Sequence, residues 1–155
     1  MEQFEHPEND LTADADFANR RRPEPQSLEE LADSPDPAEV AAANRASSRQ
    51  AFTYLAAVVI ASFAVGFGTL VITRLIGGPW CEAGDATWLC SPAQLYTWSA
   101  LTLIVPFGGL VGCGIIMVKK INAYLRWRPW MGAFWLLVPM AMAWGLAVLS
   151  QLATL

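Results

Sequence analysis

Cys81 and Cys90 stand nine positions apart in "GGPWCEAGDATWLCSPAQL", a stretch that carries the carboxylates of Glu82 and Asp85 and no lysine or arginine. Paired thiols can close a disulfide, stay free, or hold a metal. Zinc is the weakest of the three, because no histidine lies nearby and two sulfurs leave half of a tetrahedral shell empty. Between the first two, the redox compartment decides. Glu82 and Asp85 fall short of a calcium shell, so they suit a solvated loop or the docking of a basic partner better than a cation site.

Elsewhere the side chains offer little for catalysis. The single histidine, His6, is remote from every apolar run, which removes imidazole as a base or a haem ligand in those runs. Cys113 closes "LVGC", which superficially resembles a lipoprotein box. It lies deep in an apolar run, however, where a cysteine is packed and inert. Met140 and Met142 read as gap-fillers of an apolar helix rather than metal ligands. No lysine follows Gly77-Gly78 to make a phosphate loop. The expectation is a protein that is not an enzyme and has no metal and no cofactor.

Hydropathy defines the elements that must position these residues. The chain has 155 residues, 54% of them hydrophobic, and three segments reach the roughly 20 apolar residues a bilayer requires. They run over about 51–76, 95–118 and 130–153, apolar on all sides where a soluble helix would show a polar face. Only Arg74, near one end of the first, is charged. The fold class read from this is an all-α membrane protein with three transmembrane helices. Arg45 and Arg49 precede the first span, and Lys119, Lys120, Arg126 and Arg128 fill the link between the second and third. Cytoplasmic flanks carry such basic excess, so the N-terminus and that link are expected inside a bacterial plasma membrane. The loop 77–94 and the C-terminus are then outside, where a Cys81–Cys90 disulfide is the expected state. Closing that loop stabilises it by about 2.5–3 kcal/mol on the chain-entropy model.

The first fifty residues are unlike the rest. They hold twelve carboxylates against five arginines, a net of −7, whereas residues 51–155 carry a net of +3. Few large apolar residues and several prolines predict a largely disordered cytoplasmic tail over 1–36. The negative charge disfavours nucleic acid as a partner, and the acids around Arg20-Arg21-Arg22 weaken its attraction to anionic lipid. No cleaved signal peptide is expected, since the first apolar run begins only at residue 51. "SLEE" has the spacing of a capping box. "DPAE" places Asp36 as cap and Pro37 in the first turn, so one helix is expected from about 37 to 76, about 60 Å long. The remainder, 37–155, forms the transmembrane domain.

Small residues recur at helical spacing in the pairs Gly108 with Gly112, Ala64 with Gly68, and Ala141 with Gly145, which lets backbones approach closely. Pro106 and Pro139 are expected to kink their spans. Most tryptophans and tyrosines gather at the two boundaries as interfacial anchors, Trp98 and Trp130 among them. Trp144 falls in mid-span and needs a partner for its indole, either a carbonyl freed by Pro139 or a neighbouring subunit. Gly108, Gly112, Trp144, Glu82 and Asp85 are the candidate partner contacts.

The acidic, proline-containing tail, the outer-loop pattern of Cys81, Leu89 and Cys90, and the return "YLRWRPWMGAFW" over 124–135 together resemble small actinobacterial membrane proteins. Several of these accompany large envelope assemblies, among them accessory subunits of the cytochrome bcc–aa3 respiratory supercomplex. The resemblance covers about residues 77–135. It implies a non-catalytic subunit that stabilises or links the catalytic ones in a larger integral-membrane complex and holds no haem or copper itself. Two other classes stand beside it: a small oligomeric transporter or channel, and an envelope or division scaffold that recruits partners through the acidic tail.

Overall fold

The computed structural model describes residues 25–32 and 34–153. The expectation of a disordered tail falls mainly on residues 1–24, which lie outside the described residues. Among the described residues the secondary structure is helical, with no strand: α1 (Leu28–Ala32), α2 (Pro37–Ile76), α3 (Pro79–Ala83), α4 (Pro92–Asn122) and α5 (Arg128–Leu152). Three of these, α2, α4 and α5, are long and apolar enough to cross a bilayer, so the chain fits a multi-pass membrane protein.

Local chemistry sets the ends. Ser27 Oγ accepts from the Glu30 amide at the start of α1, and the Glu30 carboxylate reaches back one residue past the cap to accept from the Gln26 amide. The Asp36 carboxylate accepts from Ala38 N at 2.8 Å and Pro37 opens α2, which runs unbroken for 40 residues. Helix α4 starts three residues before the expected span, because Ser91 Oγ caps Gln94 N and Pro92 sits in its first turn. Both α4 and α5 continue as helix through Pro106 and Pro139. The segment expected only as a loop contains the short helix α3, which opens at Pro79 and ends at Gly84 in the left-handed conformation, φ 83°.

The three spans pack into one bundle in which α4 and α5 form the most extensive pair. Its buried residues fall into two groups. Toward the end that carries the 123–127 link (the link end), Ala51, Val58, Cys113, Trp130, Ala133 and Leu137 make one core. Toward the end that carries α3 (the loop end), Leu89, Leu95, Trp98 and Val148 make the other. Large apolar side chains such as Ile60, Ile104, Leu136 and Leu146 point outward, as a lipid solvent allows.

Candidate functional site

On α2 the inward stripe is made of Asn44, Ser47, Ala51, Val58, Ser62, Gly66 and Thr73, small or polar residues at three- and four-residue steps and their multiples. At the link end this stripe fastens the turn between α4 and α5. Ser47 Oγ donates to the Arg126 carbonyl at 2.8 Å and accepts from Trp130 Nε1 at 3.2 Å, while Asn44 Oδ1 accepts from Arg126 N at 2.8 Å. Trp130 is therefore a core residue, 2% exposed, and its indole closes a polar lock rather than anchoring at a headgroup level. The Cys113 thiol donates to the Trp130 carbonyl and is wholly buried, consistent with an inert cysteine.

Midway through the bundle, glycines bring the helices together. A Cβ on Gly109 would stand 2.5 Å from Val58 Cγ1, and one on Gly112 would stand 2.5 Å from the Tyr54 hydroxyl. That hydroxyl donates to the Gly109 carbonyl at 2.9 Å, sealing α2 to α4. Gly66 is covered by the ring of Trp144, which also meets Phe63 and Phe67 edge-on with centroids 5.5 and 6.3 Å away. Trp98, expected at an interface, is buried and donates from Nε1 to the Gly66 carbonyl at 3.1 Å.

The candidate contacts therefore separate. Gly112 and Trp144 are half-buried and make contacts within the chain, whereas Gly108 is exposed with open space where a side chain would go. Gly68 is equally open, and Ala64 beside it is exposed. Adjacent positions on α4 thus face different worlds: Gly109 lies on the internal seam and Gly108 does not.

At the loop end, the Cys81–Cys90 disulfide joins α3 to the segment leading into α4, its Cα atoms 4.8 Å apart. The loop is held by more than this bond. Gln94 reaches back, donating from Nε2 to the Gly77 carbonyl at 3.0 Å and accepting the Cys90 amide at 2.8 Å. Thr73 Oγ1 donates to the Trp88 carbonyl at 3.0 Å, and the Trp80 carbonyl accepts the amides of Asp85 and Ala86. Gly78 is required where it stands, since a Cβ there would come within 2.6 Å of the Cys90 carbonyl oxygen. Glu82 and Asp85 are both exposed on this loop.

Between the loop and the ends of α2, α4 and α5 lies a cavity of about 690 Å³. Trp80, Trp88 and Trp98 line it together with Asp85, Ser150 and Gln151. Asp85 thus belongs to a concave site and Glu82 does not line it. Sequence reasoning missed the cavity because it is assembled from four separated segments. The α2 stripe was missed as well: of the small residues noted on this helix, Ala64 is exposed and Gly68 half-buried, and the inward positions mix Asn44, Ser47, Ser62 and Thr73 with Ala51, Val58 and Gly66. Among the described residues, no group of three or more His, Cys, Asp or Glu side chains gathers as metal ligands would. No protein-family model, curated protein or solved structure matches the chain.

Proposed function

We propose that this chain is a non-catalytic accessory subunit of a larger integral-membrane complex, with a bacterial cytochrome bcc–aa3 respiratory supercomplex as the favoured assembly. The observation that supports an accessory role is how little of each span the chain covers itself. Only 17–22% of each apolar span is buried internally, and the uncovered faces include the open backbone at Gly68 and Gly108. A bare helix surface gains little from lipid but permits close approach by another helix. The spans hold no Asp, Glu, His or Lys, and the one Arg lies at an end, so the chain lacks the ionisable residues with which membrane enzymes and proton-coupled transporters work. The choice of assembly rests on the resemblance over residues 77–135.

In this reading the link end, with Lys119, Lys120, Arg126 and Arg128, faces the cytoplasm and the disulfide loop faces outward. An impermeant maleimide applied to intact cells after mild reduction labels Cys81 and Cys90 in that orientation and fails to label them in the reverse one. The assembly itself is tested by mild detergent extraction, affinity capture of the full chain, mass spectrometry and a visible absorption spectrum of the captured material. Haem-bearing cytochrome and oxidase subunits in the eluate are the expected result. A colourless preparation of this chain alone overturns the proposal and directs attention to flux assays in liposomes.

A further inference from the structure

From the loop-end cavity we infer that the protein binds an amphiphile with an ammonium head, the carboxylate of Asp85 and the faces of the tryptophans receiving the cation and the apolar helix walls receiving its chain. Three observations carry this. Among the described residues lining the cavity Asp85 alone is charged, so its electrostatic preference is for a cation. Trp80, Trp88 and Trp98 share the lining with it, and indole faces attract quaternary and primary ammonium groups through their quadrupole. The volume of about 690 Å³ lies within the range of small-molecule sites, about 300–1,000 Å³.

The cavity lining combines polar and apolar side chains. Asp85, Thr87, Ser150 and Gln151 share the lining with Leu70, Leu89, Leu95 and the buried Trp98. A ligand with a polar head and a hydrocarbon tail meets both kinds of side chain; a small hydrophilic cation meets only the polar ones. The site is built in advance of any ligand. Trp98 is held by its bond to the Gly66 carbonyl, and the segment bearing Asp85 and Trp88 is held by the disulfide, by Thr73 and by the Trp80 carbonyl. Such fixing lowers the ordering cost of binding. Two sources supply this chemistry, the headgroup of a phosphatidylethanolamine or phosphatidylcholine already in the bilayer and a free alkylammonium amphiphile.

Native mass spectrometry of the full chain released from nanodiscs tests the inference. One set of discs contains phosphatidylethanolamine with phosphatidylglycerol, a second contains phosphatidylglycerol alone, and the second is also titrated with dodecyltrimethylammonium. Retained phosphatidylethanolamine identifies the bilayer as the source, and retention of the alkylammonium alone identifies a free amphiphile; either supports the site. Asp85→Asn is expected to lower retention about tenfold, and Trp88→Ala about two- to fivefold, the range that cation–π attraction at partly exposed sites supplies. Both residues are exposed, so the variants should keep the fold, which an unchanged helical circular dichroism spectrum verifies. Equal retention of phosphatidylglycerol and the ammonium ligands, or retention unchanged in Asp85→Asn, overturns the inference.

Discussion

Alanine at Gly109 and alanine at Gly108 should have opposite effects, although the two positions are neighbours on one helix. In a helix interior, glycine to alanine gains about 0.8–1 kcal/mol from backbone entropy alone. At Gly108 nothing lies within 4 Å of the new methyl, so the gain stands and G108A should be as stable as the parent or up to about 1 kcal/mol more stable. At Gly109 the methyl would meet Val58 Cγ1 at 2.5 Å and Cγ2 at 2.8 Å. Valine is stiff at χ1, so it cannot swing aside and the helices must separate. Overpacking of this kind costs about 1–3 kcal/mol, and the double contact argues for the upper part of that range. Net destabilisation of about 1–2 kcal/mol follows for G109A, which puts the two variants about 1–3 kcal/mol apart. The assay is equilibrium unfolding in mixed dodecyl maltoside and dodecyl sulfate micelles, followed by tryptophan fluorescence. Adding Val58→Ala to G109A should recover stability beyond the sum of the single changes, a coupling of about 1 kcal/mol or more. Matching midpoints for G108A and G109A, or a cycle without coupling, would refute the assignment of the internal seam.

Three further outcomes are expected in the same micelle assay. Ser47→Ala removes two bonds at a wholly buried position and leaves the Trp130 indole unpaired, for a loss of about 1–3 kcal/mol and a shift in tryptophan emission. Trp98→Phe deletes the bond to the Gly66 carbonyl while keeping most of the ring, and should cost about 0.5–1.5 kcal/mol. Replacing Cys81 and Cys90 with serine opens a loop of sequence separation 9 and should cost about 2.7 kcal/mol on the chain-entropy model, with unfolding of the parent under reductant following the same curve.

Much of the architecture was legible because its causes are local. Length and apolarity identify the spans, and the Asp36 and Pro37 start of the first helix is written in four consecutive residues. The disulfide followed from the basic residues through the compartment they imply. Side-chain roles that depend on rotation about a helix axis were much less legible. Gly108 and Gly109 differ by about 100° on the helix, and nothing in a run that is apolar on all sides states which one points inward. Composition reads Trp98 and Trp130 as boundary anchors because both lie near span ends. The structure buries them, since Gly66 offers a carbonyl that can be reached and Ser47 offers a hydroxyl. Asp85 and Trp88 form a site with Ser150 only when three helix ends converge, which no local pattern encodes.

The long second helix is tied at both extremities, by Asn44 and Ser47 to Arg126 in the link between α4 and α5 and by Thr73 to Trp88 in the loop that leads into α4. Thr73 follows Ser47 by 26 positions, a distance along the helix of about 39 Å. That exceeds the roughly 30 Å hydrocarbon layer and approaches the 40–45 Å that includes the headgroups. Inserting one residue between the ties would turn one of them by about 100° relative to the other and break it. The helix is therefore held in register with its neighbours and does not slide along them to suit a thicker or thinner bilayer. Faced with such a mismatch, the whole molecule must lean or the lipid must deform around it.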